Sequence, residues 1–238
     1  MKRLIAIGIV SASAWSVVTA HAGEWSGSAE LGFSNTAGNS RDTAFNGRFE
    51  LLHENARWNH EIFGDAYYKR SDGERSADHS QLGYKPRYNL SQRDYLFGSL
   101  RYERDRFADI RHRWTEVGGY GRKLIDTDRT RLEAEIGAGA RQTRYIDNPD
   151  NLDRNETIVY VGGRFGYDIS ETAEFLQTLR VDVGQDNTFT ELVSGLQLRV
   201  TETIAAKFTH TVRHNSDIRG TRGKRTDQYT GVNLVYSF

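Results

Sequence analysis

From Trp25 to the end of the chain, apolar and polar residues alternate with a period of two, the spacing at which successive side chains point to opposite faces of an extended strand. In the first segment Trp25, Gly27, Ala29, Leu31 and Phe33 alternate with Ser26, Ser28, Glu30, Gly32 and Ser34. The same pattern recurs with Phe45, Phe49 and Leu51 against Arg48 and Glu50, and with Leu132, Ala134, Ile136 and Ala138 against Arg131, Glu133 and Glu135. Counting such stretches to residues 225–238 predicts about twelve strands and an all-β protein. The sixth, at residues 113–123, is so rich in glycine that its two faces are not distinguishable by pattern.

Alternation alone leaves open whether the apolar face looks inward, as in a soluble barrel, or outward to lipid. The connectors favour lipid. Those near residues 53–56, 91–94, 126–129, 170–172 and 201–202 read as short turns. Those near 69–78, 104–112, 142–155 and 215–224 read as long, charge-rich loops. Short turns at one end and longer loops at the other are the arrangement of transmembrane antiparallel barrels of the outer-membrane type. Apolar rows of about five residues suit strands of ~9–11 residues, enough to cross the hydrocarbon layer when tilted. An even strand number puts both ends of the barrel chain on the periplasmic side.

The polar faces then line the interior. The predicted lumen-lining residues are Glu30, Arg48, Glu50, Glu61, Asp65, Lys85, Arg87, Arg101, Glu103, Arg131, Glu133, Glu135, Arg164, Arg180, Asp182, Glu191, Arg199 and Lys207. Acids and bases are nearly balanced there, so two readings follow. Either a narrow passive, porin-like pore runs between walls of opposite charge, or the same groups bond one another and fill the barrel as a structural lumen.

Composition narrows the classes further. Lys plus Arg and Asp plus Glu both number 32, which gives no basic excess to recruit nucleic acid. The chain has no cysteine, which removes disulfides and thiolate chemistry. Lys2 and Arg3, the apolar run at residues 4–18 and the Ala20-His21-Ala22 site read as a signal peptide, residues 1–22, cleaved before Gly23. Residues 23–238 are expected to form one barrel domain.

Two resemblances bear on destination. The last strand ends on Phe238 with Tyr236 two residues earlier, and it resembles the closing strand of Gram-negative outer-membrane barrels. That resemblance implies a membrane-assembly signal at Tyr236 and Phe238, read by the barrel-assembly machinery. Residues 25–40, a W-x-G strand running into Thr36, Gly38, Asn39 and Ser40, resemble the opening of a family of salt-induced outer-membrane proteins, barrel domains of unassigned function. The family implies an outer-membrane location, a partnership with outer-membrane lipid, and a link to salt or envelope stress. It supplies no catalytic residues.

Candidate chemistry is sparse. The alternative reading is an outer-membrane hydrolase, a protease or acyl hydrolase, using a loop-base Asp-His pair, either Asp78 with His79 or Asp109 with His112. No nucleophile-elbow or zinc-protease motif accompanies these pairs, and no cofactor or metal motif is present. The acidic stretch at 147–156 lacks the residue order of an EF-hand loop. Arginines expected on the outer side, among them Arg70, Arg75, Arg104, Arg113, Arg144, Arg154, Arg219 and Arg222, suit pairing with lipopolysaccharide phosphates.

Overall fold

In the computed structural model, which describes residues 23–36, 42–106, 108–146, 153–217 and 225–238, each alternating segment is a β-strand. The signal-peptide reading falls on residues 1–22, outside the described residues. The strands are β1 (Glu24–Thr36), β2 (Asp42–Glu54), β3 (Trp58–Ser71), β4 (Glu74–Asn89), β5 (Asp94–Asp105) and β6 (Ile110–Asp126). They continue with β7 (Thr130–Tyr145), β8 (Arg154–Asp168), β9 (Ala173–Gly184), β10 (Thr188–Arg199), β11 (Ile204–Asn215) and β12 (Thr226–Ser237). Every strand pairs antiparallel with its sequence neighbours, and β1 pairs with β12 to close a barrel. The closing seam is short, Ser28–Leu31 against Leu234–Ser237, and joins the first and last strands into a ring.

The closing seam is set by the last residue. Leu31 lies opposite Leu234, and the backbone N–H groups of Gly27 and Phe238 each donate to the other's carbonyl at 3.0 Å. Side chains on the two sides of the wall differ sharply. Outside, Leu31 is 61% exposed and Leu234 62%, whereas inside Glu30 is 4% and Val235 2% exposed. A continuous outer row of bare leucine, valine, isoleucine and phenylalanine would be costly in water, and it is what a lipid-facing barrel presents. Among the described residues, no helix is long and apolar enough to cross a membrane.

The glycines of β6 have a structural cause. Tyr95 and Phe97 of β5 point inward, and a Cβ on Gly121 would strike the Tyr95 ring while one on Gly119 would strike Phe97. Two large rings occupy the room that two β6 side chains would need. Tyr95, Phe97, Val117 and Ile158 are buried together, with Tyr160 packed against them, as an apolar patch on the inner wall.

Two of the expected long loops are shorter than the sequence pattern suggests. The 69–78 stretch is not a loop: β3 and β4 run on to a tight turn at Asp72 and Gly73, with φ of 50° and 86°. Positive φ at both central residues matches the twist of a hairpin, which Asp-Gly supplies. Likewise β5 and β6 extend through most of 104–112, turning at Asp109 with φ 59°. Strands reach 17 residues in β6, beyond the ~9–11 that lipid requires, so their outer ends stand where both faces meet water. Charge there signals emergence from the bilayer and does not end the strand.

The charged interior

Because alternation sends every second side chain inward, the polar residues of twelve strands converge on one narrow space. They bond one another both across it and along its wall. At the centre of one network, Glu135 of β7 accepts from Lys85 Nζ of β4 at 2.6 Å and from the hydroxyls of Tyr95 and Tyr160, both at 2.9 Å. Arg87 of β4 reaches Glu133 of β7 at 3.1 Å and Glu61 of β3 at 3.6 Å. Arg164 of β8 donates to Glu61 at 3.2 Å and lies 3.7 Å from Glu50 of β2. β4 and β7, or β3 and β8, are not neighbours in the sheet, so these contacts span the interior.

A second network lies toward the outer end. Arg213 of β11 holds Glu191 of β10 at 2.6 Å and approaches Asp65 of β3 at 3.5 Å. Arg101 of β5 donates to Gln81 at 2.8 Å and faces Glu191, four ångströms away on β10. Along the wall, Arg180 is bonded to Asp182, Arg113 lies 3.6 Å from Glu103, and Arg141 holds Glu156 at 2.7 Å. Lys207 bonds Glu30 at 2.6 Å beside the closing seam. Between the two networks remains a cavity of about 180 Å³ lined by Arg48, Glu50, Glu61, Arg101, Arg164 and Glu191, among others. Arg131, bonded to Asp168 and Glu174, and the exposed Arg199 sit at the end of the barrel that carries the turns at 126–129, 170–172 and 201–202.

Aromatic rings brace the cations. Lys85 lies over Phe97, Arg87 over Tyr95 and Arg101 over Phe63, each 4.9 Å from the ring centre. Such contacts favour a cation where water is scarce. The inward rings of Phe63, Tyr95 and Phe97 are not among the lumen residues that the sequence pattern predicts. Their parity was the available signal, since Tyr95 and Phe97 share it with Ser99, Arg101 and Glu103.

Of the Asp-His pairs of the hydrolase reading, Asp78 and His79 are on opposite faces of the wall. Consecutive strand residues point to opposite faces, so Asp78 lies outside, bonded to Arg75 at 2.7 Å, while His79 lies inside. His112 turns its ring toward Tyr102, at 6.5 Å between centres. Of the acidic stretch at 147–156, residues 147–152 lie outside the described residues; Asp153 pairs with Arg144 and Glu156 with Arg141. Arg113 and Arg154, expected on the outer surface, are buried: Arg113 beside Glu103, Arg154 between Asp186 and Asp217. Arg219 and Arg222 lie outside the described residues.

A closed twelve-stranded barrel with an apolar outer face agrees with what comparison with known proteins shows. Residues 29–238 match the family described as "Protein of unknown function, DUF481". The chain belongs to this family. It is 29% identical over 176 residues to the uncharacterized protein YdiY of Escherichia coli (strain K12), covering 74% of this chain and 68% of that protein. Among solved structures, it is similar to the NanC porin, with a TM-score of 0.54 at 10% identity over 89% of this chain and 98% of that one. It is also similar to an outer-membrane channel from Pseudomonas putida F1, with a TM-score of 0.51 at 12% identity over 94% of this chain and 100% of that one. At such identities the likeness is one of fold, and the fold is that of outer-membrane porins and channels.

Proposed function

We propose that the protein is a narrow channel of the outer membrane whose resting lumen is held nearly shut by ion pairs that cross it. The supporting observation is the set of bonds between non-adjacent strands, Lys85 and Arg87 with Glu133 and Glu135, and Arg164 with Glu61. Fixed charges of both signs would polarise a file of water without strongly favouring one ion sign. Charges that bond each other across the bore also exclude anything larger. The reading is non-enzymatic, since most of the inward charges are engaged in such pairs and the sequence-adjacent Asp78 and His79 are on opposite faces.

The same proposal assigns the partners. Outer-membrane lipid covers the apolar belt, and the assembly machinery reads Tyr236 and Phe238 on the exposed outer row of β12. Lipopolysaccharide phosphates meet the arginines at the outer end. A role in salt or envelope stress belongs to the same proposal and rests on the resemblance of residues 25–40 to the opening of salt-induced outer-membrane proteins.

Swelling of proteoliposomes in small solutes tests the reading. The parent protein should admit disaccharides barely above empty liposomes, and Arg87→Ala should admit them several-fold faster. Rapid entry through the parent, unchanged by Arg87→Ala, would overturn the occluded-channel proposal.

A further inference from the structure

His79 is the buried group that the channel reading leaves unexplained. The residue is 3% exposed, inside the barrel, and neither ring nitrogen has a hydrogen-bond partner. Carboxylates nevertheless flank both: Asp105 Oδ2 is 3.3 Å from Nδ1, and Asp65 Oδ2 is 3.5 Å from Nε2. Glu103, also buried, completes a group with His79 and Asp105 whose donor atoms all lie within 4.8 Å of one another.

We infer that His79, Glu103 and Asp105 form a binding site for a divalent transition cation of the zinc type. The ion would take His79 through Nδ1, together with one oxygen from each of Asp105 and Glu103, and keep a position for water. Donors about 2.0–2.2 Å from a tetrahedral ion stand roughly 3.3–3.5 Å apart, and Nδ1 stands 3.3 Å from Asp105 Oδ2.

The surroundings fit the same assignment. A metal-bound histidine commonly donates its other N–H to a carboxylate that orients the ring. Asp65 stands at that position and is itself held by Gln81 and approached by Arg213. Three carboxylates, Asp65, Glu103 and Asp105, converge on the ring, while Arg213 is shared between Asp65 and Glu191 and Arg113 lies 3.6 Å from Glu103 and donates to Thr143. Asp105 keeps its other oxygen on the Ala108 backbone N–H at 3.0 Å, which fixes the carboxylate against the ring. Imidazole with two carboxylates suits zinc, manganese, iron and cobalt better than calcium or magnesium, which take oxygen alone.

The test uses folded, metal-stripped full-length protein in detergent, equilibrium dialysis against zinc, and the visible absorption of cobalt as a second probe. One ion per chain is expected. His79→Gln should abolish saturable binding, and Asp65→Asn should weaken it roughly 10–100-fold by freeing the ring. Glu103→Gln, close in shape to the parent, should also lose the ion, which covers the case in which His79→Gln fails to fold. A His53→Ala/His60→Ala variant, which removes the paired histidines of the outer wall, should bind as the parent does. No saturable zinc or cobalt in the parent would overturn the site. So would binding that survives Glu103→Gln and His79→Gln, or binding that disappears with His53 and His60.

Discussion

Arg164 of β8 reaches Glu61 of β3 across the barrel, its Nη2 3.2 Å from Oε1. Glu61 also receives Arg87 of β4 at 3.6 Å, so one carboxylate ties two walls together. A barrel of about twelve strands is wider than the eight-stranded kind that side chains simply fill, and narrower than the sixteen-stranded kind that holds water throughout. In that intermediate case the length and pairing of the inward side chains decide the bore. Arginine and glutamate are long enough to meet in the middle.

Glu135 is the residue whose removal should cost most stability. It bonds Lys85, Tyr95 and Tyr160, and Lys85 is largely buried. Glu135→Ala strands a buried ammonium group, a change of about 3–5 kcal/mol for a broken buried pair. Glu135→Gln should cost less, because an amide oxygen still accepts. Unfolding by urea in detergent, followed by the heat-modifiable mobility of the barrel, checks the order: parent, then Gln, then Ala.

The Tyr95 ring and Gly121 should be energetically coupled. A methyl at Gly121 collides with the ring, so Gly121→Ala is expected to cost about 1–3 kcal/mol by overpacking. In a Tyr95→Ala background the same substitution should cost nearly nothing. Equal costs in both backgrounds, measured as a double-mutant cycle, would contradict the inward packing of Tyr95.

That glycine-rich strand marks the limit of what the sequence conveyed. The closed all-β barrel was legible because Leu31, Leu234 and Ile136 keep strict parity with Glu30, Asn233 and Glu135. β6 was not, because its side chains are missing to make room for rings belonging to β5, a contact between neighbouring strands that no local pattern records. The stretch at 69–78 misled for another reason: above the bilayer an outward-facing Asp78 or Arg75 is as acceptable as a leucine is within it. The inward charges could be assigned to the lumen by parity, but their partners could not. Glu61 and Arg164 are 103 residues apart, and only barrel closure brings them together.

Phe238 should matter to assembly more than its contact area suggests. Its backbone closes the ring against Gly27, and its side chain ends the exposed outer row. Deleting Phe238 is expected to reduce outer-membrane levels several-fold, whereas Glu202→Ala, in an exposed turn at the same end, should not. Quantitative blotting of outer-membrane fractions decides this, and equal levels of the two variants would count against a role for the terminal residue.

The central claim is that ion pairs across the lumen keep a channel nearly shut, and single-molecule conductance in planar bilayers tests it most directly. The parent should give small or infrequent steps. Arg164→Ala and Glu61→Gln, which cut the same transverse contact from opposite walls, should each raise the step size several-fold and shift ion preference in opposite directions, toward cations and toward anions respectively. Large steady steps from the parent that neither substitution changes would contradict the account.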